Sequence, residues 1–371
     1  MSKSLVLIGG GHSHAIALQS LGVNPISDIN ITLISDVAQT PYSGMLPGHV
    51  AGFYSYEETH IDLRRLAEFA RVNLVIDRAV KLDLANHRVI CQSKNAIAFD
   101  YLSLDIGSIP QAINVPGAKE YAIPAKPVPI FLAGWSELLG EIRQNSAKSR
   151  SIAIIGGGAG GVELALNMQA RFKREGGENI EINLIHRGTE LLSNHNHRVS
   201  KILEKLLRDR QIKLHLQQNV IEVLPDKIIC ESGLTIRCDC TFWITQASVP
   251  PWIRKSSLTT DDRGFILVSN TLQSVSHPQI FAAGDNATII NYPRPKAGVF
   301  AVRQGKPLVE NWRRIIAGKP LKPYYPQSKY LALISTGDKS AIASWGNFGA
   351  RSPLFWYLKD YIDRKFMNQF P

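Results

Sequence analysis

Gly9, Gly10 and Gly11 stand together near the start of the chain, and Gly156, Gly157, Gly158, Gly160 and Gly161 near its middle. The chemistry such clusters serve is the grip on a phosphate. A strand that turns sharply into a helix needs residues without a Cβ, and a pyrophosphate approaches the backbone only where the Cβ is missing. The helix that follows presents free N–H groups and the positive end of its dipole. The second cluster is a complete G-x-G-x-x-G through Gly156, Gly158 and Gly161. The first has Gly9 and Gly11, but His14 holds the third place. That place normally admits close helix–strand packing, so His14 predicts a wider helix or a side chain turned outward.

The elements that must carry these turns are legible around them. Residues 4–8 (SLVLI) and 151–155 (SIAII) are short apolar runs that read as buried strands, each leading into its glycines and then into a helical stretch. Each unit continues to another strand, Ile29–Ser35 in the first and residues 180–186 in the second. The likeness extends further: Cys91 and Cys230 are separated by the same distance as Asp100 and Asp239. The first glycines are slightly further apart, which places an insertion in the first copy, within residues 36–62. Two diverged copies of one dinucleotide-binding unit explain the pattern. The ends of the second strands set the ribose chemistry, since a carboxylate there holds a 2′-hydroxyl and a basic residue tolerates a 2′-phosphate. The first copy offers Ser35 and Asp36 for an adenosine ribose. The second offers His186 and Arg187 and no acid, so the nucleotide is NADPH or NADH, with Arg187 able to pair with the phosphate of NADPH.

The bulk properties agree with an enzyme of this kind. At roughly 100–200 residues per domain, 371 residues make two or three domains. Hydrophobic content of 44% and charged content of 20% are those of a globular protein. No apolar run reaches the roughly 18–20 residues that span a bilayer, and the run after Met1-Ser2-Lys3 is too short for a signal peptide. An intracellular, cytoplasmic protein is expected. The four cysteines form no Cys-x-x-Cys pair, so no metal site is expected, and Cys238 and Cys240 read as buried thiols. The formal charge of +11 is spread along the chain without a basic block, which reads as a solvated surface and not a nucleic-acid site.

The whole order resembles the two-dinucleotide-binding-domain flavoproteins, the pyridine nucleotide–disulfide oxidoreductase superfamily. Its most specific further element is Ile280-Phe281-Ala282-Ala283-Gly284-Asp285-Asn286, similar to the second FAD signature of that superfamily. The resemblance implies an α/β fold of two Rossmann-like domains of the glutathione-reductase type plus a small C-terminal unit. The FAD-binding domain would take residues 1–115 and 265–326, the NAD(P)-binding domain 116–264, and the small unit 327–371. Asp285 would hold the ribitol of FAD. Disulfide reductases need a redox cysteine pair, and the stretch Thr40-Pro41-Tyr42-Ser43-Gly44-Met45-Leu46-Pro47-Gly48 has none; sulfide:quinone reductases also need cysteines near the flavin. What remains resembles the type II NADH dehydrogenases, and within them the branch fused to, or found beside, selenide, water dikinase. That branch carries a similar T-P-Y-S-G-M-L-P-G stretch, a D-x-G (Asp105-Ile106-Gly107) in place of the usual A-T-G, and P-K-A-G-V (Pro295 to Val299). The ending Asp363-Arg364-Lys365-Phe366-Met367 resembles the junction where such fusions continue.

The resemblance assigns roles residue by residue. Hydride would pass from nicotinamide to flavin, with placement and electrostatics supplied by the protein. Glu163 would orient the carboxamide at the flavin–nicotinamide contact. Lys296 and Gly298 precede a helix over 299–316 whose N-terminus would face the flavin pyrimidine ring and stabilise its negative charge. Gly107, Gly284 and Pro41, with Tyr42, would line the flavin. The acceptor stays open: a quinone or other small molecule, a small acidic redox protein such as ferredoxin, or none of these in a slow-turnover regulatory flavoprotein serving selenium metabolism. Ala301-Val302-Arg303-Gln304 matches the quinone-side A-Q motif only in part. Apolar residues at 354, 355, 358, 361 and 362 have helical spacing, which points to a peripheral helix on the inner face of a membrane, to packing on the FAD domain, or to a homodimer contact.

Overall fold

The computed structural model describes residues 3–110, 115–177, 179–245 and 247–371. Its centre is built from runs too apolar to leave either face in water. The strand Lys3–Ile8 pairs in parallel with Ile29–Ser35 on one side and Tyr101–Leu104 on the other. Leu5, Leu7, Leu33 and Leu104 are fully buried, as expected of parallel strands covered by helices on both faces. The five-stranded sheet runs Ile280–Ala282, Tyr101–Leu104, Lys3–Ile8, Ile29–Ser35, Asn73–Ile76. The second sheet runs Ala122–Pro124, Cys240–Trp243, Arg150–Ile155, Ile180–Ile185, Lys213–His215, which is the same order with the glycine-bearing strand again in the middle. The chain returns to the first sheet late, through Ile280–Ala282 beside Tyr101–Leu104.

The duplication read from the sequence is present in detail. Each sheet is interrupted, before the chain returns to it, by a three-stranded antiparallel meander: Ala79–Asp83, Arg88–Cys91 and Ile97–Ala98 in one copy, Val220–Leu224, Lys227–Cys230 and Thr235–Arg237 in the other. Cys91 and Cys230 end the middle strands and are both buried. The Asp100 carboxylate accepts the Ser4 amide at 2.7 Å, and the Asp239 carboxylate accepts the Ser151 amide at 2.7 Å. Each carboxylate therefore latches the start of its glycine-bearing strand to the start of the next strand along.

Residues 36–62, where the insertion was expected, hold a hairpin of Gln39–Pro41 with His60–Asp62 and a short helix, Leu46–Val50. The C-terminal unit is a three-stranded antiparallel sheet, Ala332–Ser335, Ala341–Trp345 and Phe348–Ser352, followed by the helix Pro353–Met367. That helix starts on a Ser352 side-chain cap and Pro353, a strong pair of start signals. Among the described residues no helix is long and apolar enough to cross a membrane.

Candidate active site

Both glycine turns lie at the carboxyl ends of their sheets' central strands, where open α/β sheets bind ligands. In the second copy Gly156 has φ +132°, and a Cβ there would come within 2.0 Å of the Ile244 carbonyl oxygen. A Cβ on Gly161 would lie 1.8 Å from the Gly156 oxygen, so this third glycine is what lets the helix Ala159–Arg174 sit against the strand. Around the missing Cβ of Gly158 there is nothing within 4 Å. Gly158 caps the helix with no side-chain hydrogen bond, so a pyrophosphate can reach the first amides through open space. His186 folds back over the turn, its Nδ1 accepting the Gly157 amide at 3.3 Å, and burial lowers its pKa. Arg187 beside it is exposed and has no salt-bridge partner among the described residues. Of the two, Arg187 is the one exposed to solvent at the end of the strand.

The first turn is built differently. Gly9 has φ +91° and packs against the Asp105 backbone, whose carbonyl accepts the Gly11 amide at 3.0 Å. Gly11 caps the helix His12–Val23. His14 corrects the expectation from its place in the motif, for the helix is not pushed away and the side chain does not turn out. The ring is fully buried, with Nδ1 on the Gly9 carbonyl at 2.7 Å and Nε2 on the Ser103 hydroxyl at 2.8 Å. Satisfied at both nitrogens in a dry site, it ties the helix to the strands it would otherwise crowd, and burial pushes its pKa down to about 4. Ser35 is buried with its hydroxyl on the Val37 carbonyl at 2.8 Å, whereas Asp36 is exposed and pairs loosely with Arg78 at 3.4 Å. Asp36 is thus the exposed carboxylate at the end of that strand. Gly107, at φ +67°, has open space where its Cβ would be.

Asp285 lies across from Gly107 on the turn after Ile280–Ala282. Its Oδ2 accepts from Lys126 Nζ at 2.9 Å and from the Ser108 hydroxyl at 3.2 Å. Burial opposes ionisation here, but Lys126, by charge and by hydrogen bond, holds the carboxyl below its ordinary range, with His12 and Ser108 adding to it. Gln304 is turned to this same feature, its Oε1 accepting the Gly284 amide at 2.6 Å, so the partial A-Q motif supports the turn that carries Asp285. Lys296 is not open to the site. Its ammonium donates to the Ala287 carbonyl and, at 3.0 Å, to the Thr288 hydroxyl, over the Phe265 ring at 4.1 Å, and burial lowers its pKa to about 8. The helix Gly298–Ile316 begins beside His12.

A second group of charges meets at the junction of both sheets and the C-terminal helix. Glu163, in the first turn of its helix, accepts the Ser335 amide at 2.7 Å. Burial raises its pKa to about 7, opposed by Lys359 and assisted by Asp363. Lys359 Nζ donates to Asp363 Oδ2 and to the Gly44 carbonyl, both at 2.6 Å. Tyr42 donates to Asp363 Oδ1 at 3.1 Å and stacks on Phe366 at 4.3 Å, while Pro41 sits in the hairpin opposite His60. The sequence gives no sign of the roles of Lys126, Lys359 and Asp363 in these clusters. Lys126 stands in a Pro-rich connector that reads only as a boundary, and Lys359 and Asp363 form an i,i+4 pair on the face of the helix away from its apolar stripe. The helix is as expected, but its apolar stripe faces out: Leu354 is 75% exposed and Tyr361 61%, while Trp356, Asp363 and Phe366 face in. The stripe does not pack on the FAD-side sheet.

The features that could take a dinucleotide are the open cradle at Gly158, the open Gly107 before Asp285, and the neighbouring helix starts at His12 and Gly298. The family model of the pyridine nucleotide-disulphide oxidoreductases matches residues 3–305. The chain is 24% identical over 344 residues to NADH dehydrogenase-like protein YutJ of Bacillus subtilis (strain 168), covering 91% of each chain. It is 25% identical over 298 residues to the type II NADH:quinone oxidoreductase of Haemophilus influenzae, covering 70% of this chain and 65% of that protein. Its fold matches the solved sulfide:quinone oxidoreductase of Aquifex aeolicus with a TM-score of 0.81 at 20% identity, over 99% of this chain and 92% of that one. A duplicated nucleotide fold, matched by the family model over most of its length, makes this chain a member of the pyridine nucleotide-disulphide oxidoreductase family.

Proposed function

We propose that the chain is an FAD-dependent NAD(P)H dehydrogenase that passes electrons to a quinone and is not a disulfide reductase. The observation that carries this is what meets at the junction of both sheets and the C-terminal helix: a largely buried carboxyl, Glu163, within an ionic cluster, and no thiol. All four cysteines lie elsewhere, and burial raises the pKa of each, the opposite of what a redox thiol needs. FAD supplies the two-electron acceptor for the nicotinamide hydride and the donor to the quinone. The chain's residues place and charge the site. The Gly158 turn holds the nicotinamide dinucleotide, with Arg187 at its ribose end. Asp36 and Asp285 hold sugar hydroxyls of FAD, and Lys126 keeps Asp285 ionised. Lys296 stiffens the entry to the helix Gly298–Ile316. Glu163 orients the carboxamide and, with a pKa of about 7, exchanges a proton at neutral pH, which suits a quinone that takes up two protons with two electrons. The test is anaerobic bleaching of the yellow protein by NADH and by NADPH, followed by mixing with a short-chain quinone or with a dithiol-forming disulfide. The quinone is expected to restore the flavin spectrum within seconds and the disulfide to leave it bleached; reoxidation by the disulfide alone would overturn the proposal.

The outward face of the helix Pro353–Met367 is the surface we assign to a membrane. Leu354, Tyr357, Leu358, Tyr361 and Ile362 are all exposed there, and Trp345 and Phe348 of the adjoining hairpin are about half exposed. Lys365 flanks them with no ion-pair partner among the described residues, whereas Arg351 pairs with Asp338 and Arg364 with Glu58 and Asp360, and a basic residue near an anionic bilayer contributes about 1 kcal/mol. The protein should sediment with anionic vesicles, and Leu354→Asp with Tyr361→Asp should leave it in the supernatant. A particle of twice the chain mass that those changes split would instead assign the face to a second subunit.

A further inference from the structure

We propose that Asp105 is an internal anion competing with the FAD pyrophosphate for the first glycine turn, so that FAD binds with uptake of one proton. The two copies differ at the glycine that lets a pyrophosphate approach. Beside Gly158 the space is open, but beside its counterpart, Gly11, the missing Cβ would lie 2.4 Å from Asp105 Oδ1 and 2.5 Å from Oδ2. From the other side the missing Cβ of Gly284 would lie 2.3 Å from the same Oδ1. The carboxylate is thus wedged between the two FAD signatures, 2% exposed, with Oδ2 accepting the His14 amide at 3.0 Å. It takes up first-turn donors of the helix His12–Val23, the groups an anion at that terminus would seek.

No cation is paired with it among the described residues. From the helix His12–Val23 the His14 ring is turned to Gly9 and Ser103, and His12 is held toward its neutral form by burial. From the helix Gly298–Ile316 comes only the uncharged Gln304 side chain, on the Gly284 amide. From the turn after Ile280–Ala282, Asp285 adds a like charge, and Lys126 is directed to Asp285. Burial first, and Asp285 in addition, raise the Asp105 pKa to about 7 against hydrogen bonds from His14 and Ser13. A pyrophosphate brought to this turn adds further negative charge. The carboxylate then takes a proton from solvent, and nothing else is made or broken.

The full chain, stripped of flavin, is titrated with FAD by fluorescence quenching across neutral to alkaline pH. A group that is ionised in the free protein and protonated in the complex makes Kd rise about tenfold per pH unit above about pH 7. Asp105→Asn keeps an acceptor oxygen and removes the charge. It should bind FAD with a flat pH profile, about 100-fold tighter than the unaltered chain two units above that point. A flat profile in the unaltered chain, or the same slope in the Asn variant, would overturn the proposal. If the variant does not fold, calorimetry of the unaltered chain in buffers of different ionisation enthalpy decides: about one proton taken up per FAD at alkaline pH supports it, and none defeats it. Failure to bind FAD at any pH would count against the cofactor assignment itself, a result distinct from tight, pH-independent binding.

Discussion

Gly161→Val is expected to leave little folded protein, while Gly158→Val folds normally and loses its grip on the nicotinamide dinucleotide. The two residues lie in one turn, yet physical space separates them. Any Cβ at Gly161 meets the Gly156 carbonyl oxygen at 1.8 Å, and that oxygen is backbone, unable to move without breaking the strand-to-helix turn. Overpacking of this severity costs about 3 kcal/mol or more, a large share of the roughly 5–15 kcal/mol that keeps a protein folded. Gly158 has φ −77° and nothing within 4 Å, so a side chain there is conformationally allowed and clashes with no part of the protein. Its stability effect should stay within about 0.5 kcal/mol. The valine methyls instead fill the space a pyrophosphate crosses to reach the helix amides. Losing about 1.4–3 kcal/mol of that contact raises the KM for NAD(P)H by about 10–100-fold. Thermal melting and nucleotide kinetics on the two variants check both halves. An unchanged KM in Gly158→Val would mean that the nucleotide does not approach the chain there.

Lys359→Met should be nearly as damaging as Gly161→Val, for an electrostatic reason. Removing the cation leaves Asp363, 4% exposed, with the Tyr42 hydroxyl as its remaining partner, and breaking a buried pair from one side costs about 3–5 kcal/mol. Replacing both members, Lys359→Met with Asp363→Leu, removes the uncompensated charge and should recover most of the loss. Glu163 supplies an independent check. Lys359 opposes the burial that raises this carboxyl to about 7, so the methionine variant should titrate at still higher pH. Activity that requires the carboxylate form should shift its acid limb to higher pH in step. In the unaltered protein the same group has a raised folded-state pKa. Its contribution to stability is therefore present at low pH and declines as pH climbs from the ordinary carboxylate range toward about 7. Thermal denaturation and a pH–rate profile on the three proteins measure all of this.

These two sites show what a sequence discloses and what it withholds. Gly156, Gly158 and Gly161 were legible because the absence of a side chain is itself the signal, and it acts over a few neighbouring residues. The strands were legible because burial on both faces leaves nowhere for polar residues. What fills the neighbouring space was not legible. Asp105 stood in a motif, but the approach of its carboxylate to Gly11 and Gly284 depends on three segments remote in sequence. His14 read as a misfit, although the Ser103 hydroxyl and Gly9 carbonyl that satisfy it lie on other elements. In the C-terminal helix the apolar stripe had the right period. Which side of a helix packs inward is decided by its neighbours, and here Tyr42, Gly44 and Glu163 reward the charged side.

The paired latches, Asp100 on Ser4 and Asp239 on Ser151, bear on how the molecule came about. Two carboxylates repeating one hydrogen bond at the same length, each at the foot of a glycine-bearing strand, place that device in a single ancestral half before it doubled. Since then the ends facing coenzyme have drifted apart, one left vacant at Gly158 and the other plugged by an acid, while the opposite ends have kept their original fastening.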